Sequence, residues 1–326
     1  MAEALAPVAE ATDQADAVPR GHLRLLAQSG LNNLLDVPPS SVREIYEDLA
    51  GACGVTFFVW VQHHAPVRLL ATSSNVGLQQ RILPELLSGQ QLAGIAFAYL
   101  RRLGPPAVTA RRVRGGILVD GEAPWVTSWG LADVFAVAAR LDGDVVFFLL
   151  PGRATPAVKP SAPLALAAMN ASCTVRLTFD GLFVPDDDVI SVTPVDQWRL
   201  TDRIATAKPH PAVFGVIRTC CRLLGAQGKA LDEERVECRK LSYALADDPR
   251  TDDAHLARMV EARAWSYEVA LRAAGALVAS AGGRAMQRSH PAQRLLREAA
   301  FFSIQAQSAD LRSATLDRLQ GLISRS

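Results

Sequence analysis

The sequence predicts an α+β protein in which a helical domain, an antiparallel β domain and a helical bundle follow one another. Three observations carry this prediction. Apolar residues recur at helical spacing in the first third of the chain, alternate in the middle, and return to helical spacing near the end. Turn residues separate these regions. The expected domains are residues 19–92, 93–208 and 209–326, preceded by a disordered tail at residues 1–18.

The first helical domain is predicted from a helix-start signal and an amphipathic segment. Pro38-Pro39-Ser40-Ser41 precedes an apolar run, and Ser41 is a candidate N-cap with Glu44 as its capping-box partner. Leu78–Leu87 is a further amphipathic segment. Residues 1–18 consist mostly of alanine, proline and acidic residues, which have little to bury. We therefore expect that tail to be disordered.

The β domain is predicted from short apolar runs between turn residues. Ala132–Ala139 and Asp144–Leu150 are joined by Arg140-Leu141-Asp142-Gly143, and Asp-Gly is a strong hairpin signal. Gly116–Asp120 is a shorter apolar run, and Thr174–Phe179 alternates apolar with polar side chains. These features indicate an antiparallel sheet of short strands.

The C-terminal region has the composition and spacing of a helical bundle. Pro211–Tyr243 is predicted to form one long helix, and Asp247–Thr251 separates it from a second helix over Asp253–Ser280. Ser289-His290-Pro291 is then a start signal for a third helix. Long helices joined by short connections are typical of a bundle.

Composition excludes several classes of protein. The 326 residues carry a net charge of +1, which does not indicate a nucleic-acid footprint. No apolar run reaches the ~18 residues that a membrane-spanning helix needs, and the start of the chain does not have the pattern of a secretory signal. The five cysteines form an odd set without a Cys-x-x-Cys pair, so we expect reduced thiols in a cytoplasmic protein.

The histidines do not predict a metal site. His63 and His64 are adjacent, with no third ligand at a useful spacing. His210 and His290 each precede a proline, which favours a role at a helix entry. The sequence also has no Gly-x-Gly-x-x-Gly, P-loop, Gly-x-Ser-x-Gly or His-Glu-x-x-His motif. We therefore predict no metal ligand.

Four stretches carry a likeness to one known family: Val119–Gly130, Val175–Val189, Gly225–Glu233 and Gly282–Asp310. Together they resemble the acyl-CoA dehydrogenase-like flavoprotein superfamily, over nearly the whole chain. The resemblance implies a helical N-terminal domain, a middle β domain and a C-terminal helical bundle. It also implies FAD as cofactor, with FMN or a reduced flavin supplied by a reductase as alternatives.

The flavin-contacting motif of that family matches Trp125, Thr127 and Ser128. The resemblance implies that the tryptophan packs along the isoalloxazine ring and that the threonine hydroxyl reaches flavin N5. A flavin needs a flat apolar wall and a hydrogen-bonding group near N5, which makes this chemistry reasonable. The alternative interpretation is a tryptophan at a strand end that belongs to the core.

The family's remaining cofactor contacts fall near the C-terminus. Gly282 and Gly283 match a Gly-Gly pair where a partner subunit approaches the adenine end of the cofactor. Ser308 matches a position whose hydroxyl contacts FAD. The resemblance thus implies a homodimer or homotetramer with shared cofactor sites.

The sequence departs from the family where the reaction needs a base. An acyl-CoA dehydrogenase removes the proton alpha to a thioester with a buried carboxylate. The two positions that carry this glutamate align with Ala306 and Gly215, and Gln305 and Gln307 accept no proton at neutral pH. Between Gln293 and Asp310 the one acidic residue is Glu298, and no catalytic residue is assigned.

Two further departures concern the cofactor's anchors. The β-domain entrance reads Ala96–Pro105, where Arg101 and Arg102 are either phosphate contacts or solvated side chains. The Arg-x-x-Phe-Gly signature, which lends an arginine to a neighbouring subunit's FAD, is replaced by Arg239–Tyr243.

We therefore expect a flavin-dependent oxidoreductase that lacks the usual catalytic glutamate. Its substrate would be a small organic molecule or an acyl thioester, and it could be a monooxygenase that uses reduced flavin. The alternative is a non-catalytic partner subunit that pairs with a paralogous acyl-CoA dehydrogenase chain. A third hypothesis is a ligand-binding relic without redox activity.

Overall fold

The computed structural model describes residues 1–102 and 104–321, in which thirteen α-helices and eight strands are connected by short 3-10 turns. The predicted order of helical, β and helical regions is confirmed. Residue 103 in the predicted β-domain entrance, and residues 322–326 at the end of the predicted bundle, lie outside the described residues.

Seven helices precede the sheet, and they contribute buried residues to the hydrophobic core. Helix α4 begins at Pro39, with Pro38 as its N-cap, so Ser41 lies in the first turn and the capping box predicted from it is wrong. Asn75 caps α7 by accepting from the Leu78 N–H, and Gly89 ends that helix at φ 75°. The helices are α1 Ala2–Leu5, α2 Ala9–Gln14, α3 Arg20–Gln28, α4 Pro39–Ala52, α5 Gly54–Val61, α6 His64–Ala71 and α7 Val76–Ser88.

The structure corrects the predicted disordered tail at residues 1–18. Most of this segment is helical, and Leu5 and Ala9 are buried in the main core. Asp13 is 3% exposed because it pairs with Arg297 at 2.5 Å. The partner lies 284 residues away in the chain, so local composition does not show it. Long-range ion pairs and two apolar anchors therefore order a segment that has little to bury by itself.

Eight strands form one sheet in the order β6-β7-β3-β2-β4-β5-β8, with β1 also paired to β4. The predicted hairpin is confirmed, because β4 and β5 pair antiparallel and close on Leu141 opposite Asp144. Most pairs are antiparallel, but β4 runs parallel to β1 and to β2, which alternation alone does not encode. The strands are β1 Ala93–Ala96, β2 Val108–Val113, β3 Gly116–Val126, β4 Val134–Leu141, β5 Asp144–Pro151, β6 Val158–Pro160, β7 Val175–Pro185 and β8 Val189–Pro194.

Helices cover both faces of the central strands, which explains the continuous apolar runs of β4 and β5. Ala136, Ala138 and Phe147 pack with Leu70 and Leu86 from α6 and α7. The alternate residues of the same strands belong to the main core. A strand buried on both faces needs apolar residues at every position.

Six helices follow the sheet, and the first predicted long helix is divided in two. The prediction of one helix over residues 211–243 is wrong, because Gly225 at φ 59° opens a 3-10 turn that ends at Gly228. A Cβ at Gly228 would lie 2.6 Å from the Cys221 carbonyl oxygen, so the turn depends on glycine there. The helices are α8 Val195–Ala207, α9 Pro211–Leu224, α10 Lys229–Asp247, α11 Asp253–Ala281, α12 Pro291–Ile304 and α13 Ala309–Leu319.

Helices α4 and α9 cross at a contact between two glycines. A Cβ at Gly215 would lie 2.0 Å from the Glu47 carbonyl oxygen, and one at Gly51 would lie 2.7 Å from the Gly215 oxygen. Backbones this close leave no room for a side chain on either helix. The crossing joins the two helical regions of the chain.

A buried ion pair fastens α12 to the N-terminal helices. Arg294 and Glu298 are 4% and 2% exposed and lie 2.9 Å apart, one helical turn from each other. Glu298 also accepts the Gly54 N–H at 3.2 Å, and Arg294 donates to Glu10 at 3.1 Å. Burial raises the pKa of Glu298, and the Arg294 charge opposes that rise. The pair therefore connects α2, the start of α5 and α12.

The described residues contain neither a cluster of metal-binding side chains nor a helix whose length and apolar content would let it cross a membrane. All five cysteines are free thiols, and four of them are buried.

The substitution Glu298→Gln should destabilise the protein by about 3 kcal/mol, because it leaves Arg294 buried beside a neutral amide. Urea unfolding followed by circular dichroism measures this change. Asp196→Asn is the matched control, since it breaks an exposed Arg199 pair and should cost less than about 0.5 kcal/mol. Equal losses in the two variants would contradict a structural role for the buried pair.

Acid should destabilise the protein through His63, which is fully buried in the α5–α6 connection and accepts the Ala93 N–H. Burial lowers the pKa of His63 from 6.5 to about 4, so protonation favours the unfolded chain. The stabilisation is complete above pH 6.5 and is lost as the pH falls through about 4. By pH 5 the protonation of His63 should lower the free energy of unfolding by about 2 kcal/mol.

His63→Asn tests this pH dependence, because the asparagine oxygen can accept the same N–H but does not titrate. Its melting temperature should fall less between pH 7.5 and pH 5 than that of the unchanged protein. His290→Asn is the control, because His290 caps α12 and lies far from α5 in the chain. An unchanged acid response in His63→Asn would refute the assignment.

Candidate functional site

A largely apolar cleft of about 580 Å³ opens between the sheet and α12. This volume lies within the range of small-molecule sites. The end of β3 and the segment before β7 form one wall, α12 forms the opposite wall, and α5 contributes one aromatic ring. The lining residues are Phe58, Trp125, Thr127, Leu166, Ala167, Ala168, Thr174, Arg297, Ala300, Phe301, Ile304 and Gln305.

Trp125 stands at the mouth of this cleft. It is the penultimate residue of β3 and is 53% exposed, which is unusual for a large aromatic side chain. Its backbone has φ 60°, in the left-handed region that a bulky residue rarely adopts. The indole is therefore not buried, and the alternative of a core tryptophan does not describe its position. An exposed aromatic wall beside an apolar cleft suits a flat ligand.

Thr127 presents its hydroxyl to the same cleft. Its Oγ1 lies 3.2 Å from Thr174 Oγ1, which lies 2.8 Å from Ser172 Oγ. Ser172 is fully buried, so a proton of its hydroxyl left without an acceptor would be costly. The direction that avoids this cost runs from Ser172 through Thr174 to Thr127. Thr127 is therefore free to donate into the cleft.

Ser128 lies behind the wall rather than on it. It has φ 71° and is fully buried, and its hydroxyl has no hydrogen-bond partner among the described residues. Its backbone N–H donates to the Ser172 oxygen at 2.8 Å, which ties the end of β3 to the segment before β7. The geometry gives Ser128 a backbone role in shaping the wall, and a direct contact with a cofactor stays a prediction.

The opposite wall is one face of α12. Arg297, Ala300, Phe301 and Ile304 follow the spacing of one helical face, while the buried ion pair occupies another. Arg297 is already engaged, because it pairs with Asp13 and donates to the Ala167 oxygen at 3.1 Å. Among the described lining residues this is the single cation, and its charge is balanced.

Gln305 ends α12 and lines the cleft, whereas the next residue turns away. Its Oε1 lies 2.9 Å from His210 Nε2. Burial and the nearby Arg263 charge lower the pKa of His210 to about 3, so the imidazole is neutral at physiological pH. Ala306 is exposed, has φ 53° and does not line the cleft.

No carboxylate lines the cleft within the described part of the chain. Glu298 faces the buried pair on the other side of α12. Gly215, the second position that carries a base in the resembling family, touches the backbone of α4, and a side chain there would collide with Glu47. The described lining residues therefore suit ligand binding, and none of them is a carboxylate that could abstract a proton.

The remaining predicted cofactor residues lie apart from this cleft. Gly282 has φ 61° and opens the turn after α11, and a Cβ at Gly282 or Gly283 would meet no atom within 4 Å. Ser308 caps α13 by accepting the Leu311 N–H, and it lines a different groove with Arg203. Their roles in cofactor binding stay predictions.

Two arginines that the sequence singled out have structural partners. Arg101 makes a two-pronged ion pair with Asp202 at 2.7–3.1 Å, joining the β-domain entrance to α8. Arg239 pairs with Glu47 at 2.7 Å, and Tyr243 donates to the same carboxylate at 2.6 Å. Both arginines thus fasten helices together in this chain.

Sequence reasoning missed Phe58, Thr174, Arg297 and Phe301 as lining residues. The spacing of Arg297, Phe301 and Ile304 could have shown that they share a helical face. Nothing local could have shown which face meets the cleft, because Phe58 and Thr174 come from distant segments.

Comparisons with known proteins agree with this architecture. No protein-family model matches the chain. It is 28% identical over 204 residues to benzylmalonyl-CoA dehydrogenase of Aromatoleum aromaticum, covering 58% of this chain and 54% of that one. This chain thus spans about half the length of that relative. It is 24% identical over 304 residues to the mitochondrial 2-methylacyl-CoA dehydrogenase of Solanum tuberosum, covering 82% and 72% of the two chains.

A solved structure extends the likeness to the whole fold. The glutaryl-coenzyme A dehydrogenase–glutaryl-CoA complex superposes with a TM-score of 0.81 at 18% identity, over 98% of this chain and 92% of that one. The order of helical, β and helical regions agrees with these similarities. The chain is thus similar in sequence and in fold to acyl-CoA dehydrogenases.

Proposed function

We propose that this chain binds a flavin in the cleft beside Trp125 and acts as an oxidoreductase without a glutamate base. The observation that carries the proposal is the cleft itself, which offers an exposed aromatic wall and a free hydroxyl donor but, among its described lining residues, no carboxylate. A small organic molecule or an acyl thioester is the proposed substrate, in keeping with the relatives' names.

The lining residues fit an isoalloxazine ring. Trp125 would stack on the ring, Thr127 would donate to flavin N5, and Phe58 and Phe301 would exclude water from its edge. A bound flavin supplies hydride or electron transfer at N5. FAD is the proposed cofactor, with FMN or a reduced flavin from a separate reductase as alternatives.

The proposed reaction is not proton abstraction by a carboxylate. A cleft whose described lining residues include no such group suits an oxygenation that uses reduced flavin, since that chemistry needs no glutamate. The cleft also has no unpaired cation among its described lining residues, which fits a flavin that exchanges readily rather than one held tightly by its phosphates.

The described lining residues include neither a carboxylate nor an unpaired cation, and this also favours a second candidate. That candidate is a non-catalytic subunit that pairs with a complete paralogue. The missing phosphate anchor and base would then come from the other chain. Gly282 and Gly283 have open space at their Cβ positions, as a close approach by another chain would require. A homodimer or homotetramer could supply an anchor in the same way, but not a base.

Trp125→Ala should weaken flavin binding at least fivefold, because aromatic stacking contributes about 1 kcal/mol beyond buried area. The measurement is a titration of the purified protein with FAD, FMN and photoreduced FMN, followed by tryptophan quenching and flavin absorbance. Trp265→Phe is the matched control, since Trp265 lies on α11 and donates to Glu234 outside the cleft.

The outcomes separate the candidates. Flavin bound by the chain alone, and weakened by Trp125→Ala, supports the oxidoreductase. Flavin that binds only after a paralogous chain is added supports the partner subunit. Failure to bind any of the three flavins under both conditions would refute both and leave a ligand-binding relic.

A further inference from the structure

Gln305, at the C-terminal end of α12, has hydrogen-bond partners for both of its backbone polar groups. Its backbone N–H donates to the Phe301 oxygen at 3.1 Å, and its carbonyl accepts from Arg263 Nη2 at 3.2 Å. Arg263 itself is 3% exposed and also donates to the Lys208 oxygen at 3.1 Å. Both backbone groups of Gln305 are therefore fixed by interior partners, which sets where its side chain begins.

His210 fixes the side chain as well. Its Nε2 lies 2.9 Å from Gln305 Oε1, and its ring lies 5.4 Å from the ring of Phe302. The other ring nitrogen, Nδ1, is buried and has no hydrogen-bond partner among the described residues. A proton on Nδ1 would be an unpaired buried donor, so the proton belongs on Nε2 and is donated to Gln305. The amide oxygen of Gln305 is thus occupied.

The amide nitrogen of Gln305 is the group left over. No described residue accepts from Nε2, although the side chain lines the cleft. On the opposite wall Thr127 also keeps a free hydroxyl proton, whereas Thr174 donates to Thr127 and Arg297 pairs with Asp13. The α12 end of the cleft therefore presents a neutral group with two N–H donors and a blocked acceptor.

We propose that Gln305 Nε2 donates a hydrogen bond to a carbonyl oxygen of the cleft's ligand, with His210 as the residue that positions the amide. This inference rests on the proposed function, because it assigns a recognition group to the same site. A group that can only donate pairs with an acceptor atom of the ligand and offers no partner to a ligand N–H. A neutral amide does not offset the desolvation of a carboxylate in an apolar cleft, so a carbonyl is preferred over an acid.

Two ligands of the proposed site carry such an oxygen, an acyl thioester and the isoalloxazine ring. A matched pair of probes tests the first source: butyryl-CoA and S-butyl-CoA, which differ only in the thioester carbonyl. Calorimetric titration in the absence of flavin should show that Gln305→Leu binds butyryl-CoA about five- to tenfold more weakly than the unchanged protein does. The affinity for S-butyl-CoA should not change.

FMN titration of the same variant tests the second source. Loss of FMN affinity with unchanged butyryl-CoA affinity would assign the carbonyl to the flavin. Equal losses for butyryl-CoA and S-butyl-CoA, or no loss for any probe, would overturn the proposal. Because the two CoA probes are titrated without flavin, their outcome is independent of whether the chain binds flavin at all.

The positioning role of His210 is tested by a pair of substitutions. His210→Phe keeps a ring of similar size but removes the donor, and it should reproduce the carbonyl-selective loss of Gln305→Leu. His210→Gln can place an N–H near the same point and should restore carbonyl binding. Rescue by His210→Gln is not expected of a merely structural residue, and failure of that rescue with a folded protein would overturn the assignment.

If His210→Phe does not fold, Gln305→Glu keeps the test decisive. It replaces the donor with an acceptor of the same shape. It should therefore lower the affinity for butyryl-CoA more than Gln305→Leu does, and it should leave the affinity for S-butyl-CoA unchanged. Tighter binding of butyryl-CoA by Gln305→Glu would contradict donation by Gln305.

Discussion

The buried ion pair between Arg294 and Glu298 is the constraint on which the rest of the site depends. It faces inward from α12, reaches Glu10 and the Gly54 N–H, and so orients the helix against two N-terminal segments. Breaking one half of such a pair leaves an uncompensated buried charge. Because the helix cannot rotate without that cost, its other face is fixed as a wall of the cleft.

The N-terminal segment shares in this arrangement. Asp13 pairs with Arg297, the residue on α12 that both lines the cleft and contacts the segment between β6 and β7 through the Ala167 oxygen. The cleft is therefore built by residues from the start, middle and end of the chain. Arg297 is the one cation among the described lining residues. Because it already pairs with Asp13, its charge is not available to bind a phosphate.

The described cleft keeps a wall suited to a flat ligand, whereas the two positions at which the resemblance implies a base do not line it. The strained Trp125 and the hydroxyl series ending at Thr127 retain a wall suited to a flat ligand, and backbone strain of this kind is maintained where function uses it. The two positions at which the resemblance implies a base lie outside the cleft for different reasons. Gly215 is sealed by a backbone contact with α4, whereas Ala306 turns out of the cleft and leaves Gln305 at its edge.

The sequence by itself determined the order of domains, the β4–β5 hairpin and the Trp125–Ser128 motif, because periodicity, Asp-Gly turns and short motifs are local signals. It could not determine that residues 1–18 are ordered, since their anchors lie 284 residues away. Only the tertiary structure decided that Thr127 faces the cleft while Ser128 lies behind it, and that Gln305 meets His210. Those relations depend on how distant segments pack, and chain order does not encode that directly.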